Sequence, residues 1–129
     1  MNDIGGWFKN DRPVYAWVPV FLWAGIVLFF SVLPYGNIEP VMPHFDKILH
    51  FFEFFFFSYL LMKGFYRTTE MTLPRNALFT LIIGGGYGIL MELVQQLVPG
   101  RYLSAGDLGA DLAGIVFGIV VGKVLIWQR

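Results

Sequence analysis

Four long apolar runs constrain this chain more than any other feature of its sequence. They cover residues 14–33, 47–66, 76–98 and 107–127, and a helix needs about 20 mostly apolar residues to cross a bilayer. Charged residues make up only 14% of the chain, against roughly 25% in soluble domains. The connections are short, which favours antiparallel neighbours. The sequence therefore predicts an all-α fold, an integral-membrane four-helix bundle with a single domain over residues 1–129.

Composition removes several other classes of protein. The chain has no cysteine, so neither a disulfide framework nor a thiolate metal site is possible. Its net charge is zero, which argues against a nucleic-acid partner. No basic stretch with a cleavage pattern opens the chain, so we expect the first apolar run to remain as a span. A re-entrant segment at Gly84-Gly85-Gly86 is the alternative architecture.

The basic residues predict which way the bundle faces. If the four runs are spans, seven of the nine Lys and Arg residues lie on the side of the two termini. These seven are Lys9, Arg12, Lys63, Arg67, Arg75, Lys123 and Arg129, and the other two are Lys47 and Arg101. Positive residues stay in the cytoplasm. We therefore expect both termini inside the cell and the opposite end of the bundle outside.

Ionisable residues inside the spans stand out because each is expensive, about 2.5–3.5 kcal/mol on insertion scales. On the second helix, Asp46, His50 and Glu53 have the spacing i, i+4, i+7 and share one face. The helical rise places Glu53 and Glu92 at similar depths, roughly 10 and 9 Å below the outer ends of their helices. Such carboxylates are unfavourable unless they are paired, protonated or metal-bound. We interpret His50, Glu53 and Glu92 as candidate catalytic residues.

Further polar residues lie near the same end, next to glycine patterns. Gly84 and Gly88 precede Glu92 at four-residue spacing, and Gly114, Gly118 and Gly122 lie close to the helical face of Asp107 and Asp111. Small residues let helices approach closely in lipid, so we expect the acids to point into the bundle and line a pocket, capped by the loop of residues 99–106. The candidate ligand-binding residues are Asp46, Lys47, Gln95, Arg101, Ser104, Asp107 and Asp111.

Structural roles are the alternative for several of these residues. Asp46 and Asp107 have the placement of helix N-caps, and Lys47 has the placement of a residue that reaches lipid headgroups. Gln95 and its neighbour Gln96 suit hydrogen bonds between helices. The aromatic run of residues 51–57 is typical of lipid-facing bulk.

Several short motifs occur in a fixed order along the chain. They are Ser31-x-x-Pro34, Asp46-Lys47-x-x-His50, Glu92-x-x-Gln95, Pro99-Gly100-Arg101 followed by Ser104 and Asp107, and Gly114-x-x-x-Gly118. In this combination they resemble the VanZ-like family. The family more usually has Asn at the position of Asp111, so the site of this chain is more negative than the family pattern.

The resemblance implies a small multi-spanning protein of the bacterial cell (inner) membrane. The founding member of the family is associated with low-level resistance to the glycopeptide teicoplanin. In this cell-envelope context we expect membrane lipids as partners, with a lipid-linked cell-wall precursor or the lipoglycopeptide itself as the specific ligand. We expect the pocket to bind such a headgroup, with Arg101 and Lys47 meeting phosphate or carboxylate and the acids meeting ammonium or sugar hydroxyls.

Two other functions stay open on the sequence. An intramembrane enzyme would use His50, Glu53 and Glu92 as acid and base. Alternatively, His50 with Glu92, Asp107 and Asp111 would hold a divalent ion that activates water; the set suits Zn²⁺ or Mn²⁺, although one histidine is few for Zn²⁺. Intramembrane acids also mark transport paths, but no inverted repeat is evident here.

Overall fold

The structure, a computed structural model, describes residues 13–33, 45–101 and 104–127. Over these ranges the chain forms four helices and no strand. The helices are α1 (Pro13–Val32), α2 (Phe45–Thr68), α3 (Leu73–Gln95) and α4 (Ala105–Ile126). Each is long and apolar enough to cross a membrane. The predicted all-helical class is confirmed over the described residues, and the four long apolar helices are compatible with the predicted membrane bundle.

The helix bounds differ from the expected ones mainly around α3. This helix begins before the expected position because Pro74 occupies its first turn, where the missing N–H of proline is tolerated. It ends at Gln95, and the turn that follows contains Gly100 with a φ of 84°, a backbone conformation that glycine adopts without strain. The helix is unbroken through residues 84–86, so the re-entrant alternative is wrong.

Helix α2 lies at the centre of the bundle and packs most extensively against α4. Glycines on α4 make this approach possible, because a Cβ at Gly114 would collide with the backbone oxygen of Phe51, and one at Gly118 would collide with the Ser58 hydroxyl. A Cβ at Gly122 would lie 2.8 Å from a sulfur atom of α2. The glycine face predicted for the fourth helix is therefore its contact face with α2.

The phenylalanine-rich run of α2 is divided between the interior and the surface. Phe54 and Phe57 are only 1% and 4% exposed, whereas Phe52 and Phe56 are 49% and 45% exposed. Residues three or four apart share a helical face, so one pair enters the core while the other faces outward. The interpretation of the run as lipid-facing bulk is therefore wrong for Phe54 and Phe57. The core that they join also contains Val20, Val27, Leu61, Met91 and Ile115.

Alternating helix directions bring four helix termini to one end of the bundle, which we call the site end. It comprises residues 30–33, 45–50, 92–101 and 104–111, which interact across all four helices. Farther from this end, Tyr87 of α3 donates to the backbone of α1 at 2.6 Å, and Trp23 of α1 donates to the Glu53 carbonyl at 2.8 Å.

Of the basic residues used to predict orientation, Lys9, Arg12 and Arg129 lie outside the described residues. Pro34 of the first motif lies outside them as well.

Candidate functional site

His50 lies at the centre of a buried polar cluster at the site end. Its Nδ1 atom is 2.8 Å from Asp111 Oδ1 and 3.9 Å from Glu92 Oε1, and its Nε2 atom is 3.8 Å from Asp107 Oδ2. Asp107 and Asp111 are four residues apart, so they share one face of α4. The exposed fraction is 4% for His50, 1% for Glu92 and 2% for Asp111. Helices α2, α3 and α4 thus all contribute to what we call the His50 cluster, namely His50, Glu92, Asp107 and Asp111.

Three carboxylate oxygens of the His50 cluster are buried without a normal hydrogen bond to any described residue. They are both oxygens of Glu92 and Oδ2 of Asp111. The backbone amide of Ser104 interacts with Glu92, but not within the geometry of a normal hydrogen bond. Buried polar groups in native proteins are almost always hydrogen-bonded, because an unpaired one is unfavourable. These atoms therefore point to a hydrogen-bond donor or a cation that binds at the cluster.

Small residues on α3 leave room for the cluster. A Cβ at Gly88 would lie 3.2 Å from Asp111 Oδ2 and 3.4 Å from a ring carbon of Phe54. One turn away, a Cβ at Gly84 would lie 3.2 Å from Ile115. The glycine face of α3 therefore packs against α4 and lets the Asp111 carboxylate lie beside the α3 backbone.

Lys47 connects the His50 cluster to the surface. Its Nζ atom lies 3.4 Å from Asp107 Oδ1 and 3.5 Å from Asp46 Oδ2. The side chains of Lys47 and Asp46 are 35% and 43% exposed, against 9% for Asp107. The aliphatic part of Lys47 lies over the start of α4, where a Cβ at Gly106 would be 2.7 Å from Lys47 Cε. Lys47 is thus held by two acids, one exposed and one buried.

Arg101 joins the α3–α4 connection to the end of α1. Its Nη1 atom donates to backbone carbonyls of Phe30, Ser31 and Leu33 at 3.0, 2.8 and 3.2 Å. The last carbonyls of a helix have no partner within that helix. The guanidinium therefore supplies the donors that a further helical turn would have supplied. This contact gives Arg101 a structural role in addition to the ligand contact expected from the sequence.

Ser104 is the N-cap of α4. Its hydroxyl oxygen accepts a hydrogen bond from the Asp107 backbone amide at 3.3 Å. The capping role considered for Asp107 therefore belongs to Ser104. The Asp107 carboxylate is directed to Lys47 and His50 instead.

Glu53 is not among the carboxylates next to His50. The acids within ion-pair distance of His50 are Glu92, Asp107 and Asp111. Glu53 is only partly buried, and it interacts with His50 and Arg101 at longer range. Gln95, three residues after Glu92, is 3% exposed. Of the two glutamates at matched depth, Glu92 is the one that the fold places in the cluster.

Comparison with protein families decides the relationship suggested by the motifs. A model of the VanZ/LLP1 family matches residues 5–126. The chain belongs to this family. No curated protein and no solved structure matches it. In this VanZ/LLP1 protein, the motif residues Lys47, His50, Glu92 and Asp107 come from three helices and meet at one end of the bundle.

A second polar contact in this VanZ/LLP1 protein was missed by the sequence reasoning. Asn76 and Thr80 are both 0% exposed. The Asn76 amide donates to the Met62 carbonyl at 3.0 Å, and the Thr80 hydroxyl donates to Asn76 Oδ1 at 3.1 Å. The four-residue spacing that connects Gly84, Gly88 and Glu92 also includes positions 76 and 80, and that continuation was the signal for a buried face.

Proposed function

We propose that this multi-pass membrane protein binds the polar headgroup of an envelope lipid or lipoglycopeptide at the site end. Its role would resemble that of the family's founding member, which is associated with teicoplanin resistance. The supporting observation is the position of the His50 cluster. The cluster holds buried acceptor oxygens at the end of an otherwise apolar bundle, and the partly exposed Lys47 contacts its Asp107. Lys47 would pair with a phosphate or carboxylate, and the Glu92 oxygens would accept from ammonium or hydroxyl groups.

An apolar groove supports a ligand that carries a hydrocarbon chain. The groove has a volume of about 480 Å³ and lies between α1, α2 and α4. Its lining residues are Trp23, Phe55, Phe56, Tyr59, Leu60, Val121 and Leu125. Phe55 follows His50 by five residues, which is about 8 Å along the helix. The other lining residues of α2 and α4 lie farther from the site end, so a lipid with its headgroup at the site end would have part of its hydrocarbon chain at the level of this groove.

The proposed orientation places the site end outside the cytoplasm, in the inner membrane of a bacterium. The described basic residues at the site end are Lys47 and Arg101, whereas those toward the other end are Lys63, Arg67, Arg75 and Lys123. Since positive residues stay in the cytoplasm, both termini would be cytoplasmic. The headgroup would then come from the outer leaflet, where lipid-linked wall precursors and glycopeptides meet.

Native mass spectrometry of protein released gently from the membranes of the expression host tests the headgroup proposal. We expect retained anionic lipid on the unaltered protein and its loss in Lys47→Gln. Lys63→Gln is the matched control, because Lys63 is on the same helix and exposed away from the site end. Equal lipid retention in Lys47→Gln and the control would refute the role of Lys47. When the same variants are expressed in a susceptible host, the cells with Lys47→Gln should be more susceptible to teicoplanin than the cells with Lys63→Gln.

The His50–Asp111 pair favours an intramembrane enzyme as the second candidate. A carboxylate 2.8 Å from one ring nitrogen orients the imidazole, and an oriented imidazole can act as general acid or base. Glu92 would be the second proton carrier. A Glu92→Gln variant that folds and retains lipid but no longer raises teicoplanin resistance would favour catalysis. Full resistance in that variant would exclude Glu92 as an essential base.

A further inference from the structure

The His50 cluster has the donor atoms and spacing of a divalent-metal site. One ligand atom each from His50, Glu92 and Asp107 lies within 4.8 Å of the other two. A tetrahedral ion with bonds of about 2.0–2.1 Å holds its ligands about 3.4 Å apart, so side-chain shifts of roughly 1 Å would bring these three atoms to three of its four ligand positions. We infer that these three residues bind a divalent ion of the Zn²⁺ or Mn²⁺ type, which accepts mixed imidazole and carboxylate ligands.

Glu92 provides the observation that separates this site from a simple cluster of acids. Both of its oxygens are buried without a normal hydrogen bond to a described residue, and the side chain is 1% exposed. Among the basic groups of the described residues, Lys47 contacts Asp107, and His50 makes its short contact with Asp111, whereas Glu92 Oε1 is farther from His50, at 3.9 Å. A metal ion would supply a positive charge closer to Glu92 than His50 is.

Asp111 acts in this site as a positioning residue and not as a ligand. Its Oδ1 atom lies 2.8 Å from His50 Nδ1. An ionised carboxylate can only accept, so in the neutral imidazole that binds a metal Nδ1 donates to Asp111 and Nε2 keeps its lone pair, on the side of Asp107 Oδ2. Histidines that bind metals typically donate their other N–H to a carboxylate in this way.

The two carboxylate oxygens of Asp107 have different neighbours, and this arrangement suits a metal ligand. Oδ1 faces Lys47 at 3.4 Å, and Oδ2 faces His50 Nε2 at 3.8 Å. The contact with Lys47 therefore orients the carboxylate, so that its second oxygen points into the cluster. The inference does not rest on the headgroup proposal, although a cation here would let an anionic phosphate approach three carboxylates.

Metal content and metal binding of the full chain in mild detergent test the inference. We expect protein purified without chelator to contain stoichiometric metal by mass spectrometry. After removal of that metal, Mn²⁺ titration followed by electron paramagnetic resonance should show saturable binding. Glu92→Gln, which keeps the size of the side chain, should abolish stoichiometric binding, and Asp111→Asn should weaken it about 10- to 100-fold.

Glu70→Gln is the matched carboxylate-to-amide control, because Glu70 is exposed in the α2–α3 connection. It should bind metal like the unaltered protein. If Glu92→Gln does not fold, Asp107→Asn provides the same test. Metal-free unaltered protein with no saturable binding of Mn²⁺ or Zn²⁺ overturns the inference, as does equal binding in folded Glu92→Gln. Lipid without metal would leave only the headgroup proposal, and metal without lipid would leave only the metal site.

Discussion

His50 Nδ1 and Asp111 Oδ1 lie 2.8 Å apart, although the residues are 61 positions apart in the chain. Both side chains are buried, so water does not compete for this contact between α2 and α4. A hydrogen bond in such a low-dielectric environment is stronger than one in water. The pair therefore sets the orientation of the imidazole on which the rest of the cluster is built.

Replacing Asp111 should separate its hydrogen-bonding role from its charge. In Asp111→Asn the amide oxygen still accepts from His50 Nδ1, so we expect nearly unchanged stability. In Asp111→Ala the imidazole loses its partner, which should lower the free energy of unfolding by about 1–3 kcal/mol. Unfolding in detergent, followed by circular dichroism, measures both. An Ala variant as stable as the Asn variant would contradict the assignment.

The contact of α4 with α2 should tolerate no side chain at Gly118. A Cβ there would collide with the Ser58 hydroxyl and lie 2.5 Å from the Phe55 carbonyl. We expect Gly118→Ala to destabilise the bundle by about 1–3 kcal/mol, as overpacking does. Gly109→Ala on the same helix is the control, since a Cβ there meets no atom of the described residues within 4 Å. A stability of Gly118→Ala equal to or above that of the control would show that the two helices are farther apart.

The buried Asn76 should stabilise the pairing of α3 with α2. Asn76→Ala removes the bond to the Met62 carbonyl and leaves the Thr80 hydroxyl without its acceptor. We expect a loss of about 1–2 kcal/mol, somewhat above the average of about 0.6 kcal/mol for one such bond in a membrane protein. Thr68→Ala is a suitable control because the Thr68 hydroxyl donates within α2, to the Gly64 carbonyl, and makes no other hydrogen bond to a described residue. Equal losses in denaturant unfolding would argue against a special role for Asn76.

The absence of cysteine from the chain allows a direct test of orientation. A single cysteine in place of Ala105 lies at the site end, and one in place of Glu70 lies in the α2–α3 connection; both positions are exposed. A membrane-impermeant maleimide added to intact cells, with the outer membrane permeabilised if there is one, should label only Ala105→Cys. Glu70→Cys should react only after lysis. The reverse pattern would place the site end in the cytoplasm.

Much of the fold follows from local properties of the sequence. Apolar runs of sufficient length can only be helices in lipid, because every backbone hydrogen bond must be made within the segment. The fixed spacing of Gly114, Gly118 and Gly122 also defines a close-packing face without any knowledge of its partner. The side shared by Asp46, His50 and Glu53 follows in the same way from the helical period.

The choice between equivalent side chains was decided only by the tertiary structure. Glu53 and Glu92 have matched depths and the same chemistry, yet only Glu92 lies next to His50. Ser104 and Asp107 are both suitable caps, and the backbone at the start of α4 gives the cap to Ser104. These outcomes depend on the rotation of each helix about its axis, which is set by contacts with other helices. The sequence alone determined four spans and their polar faces, whereas helix packing decided which polar atoms meet.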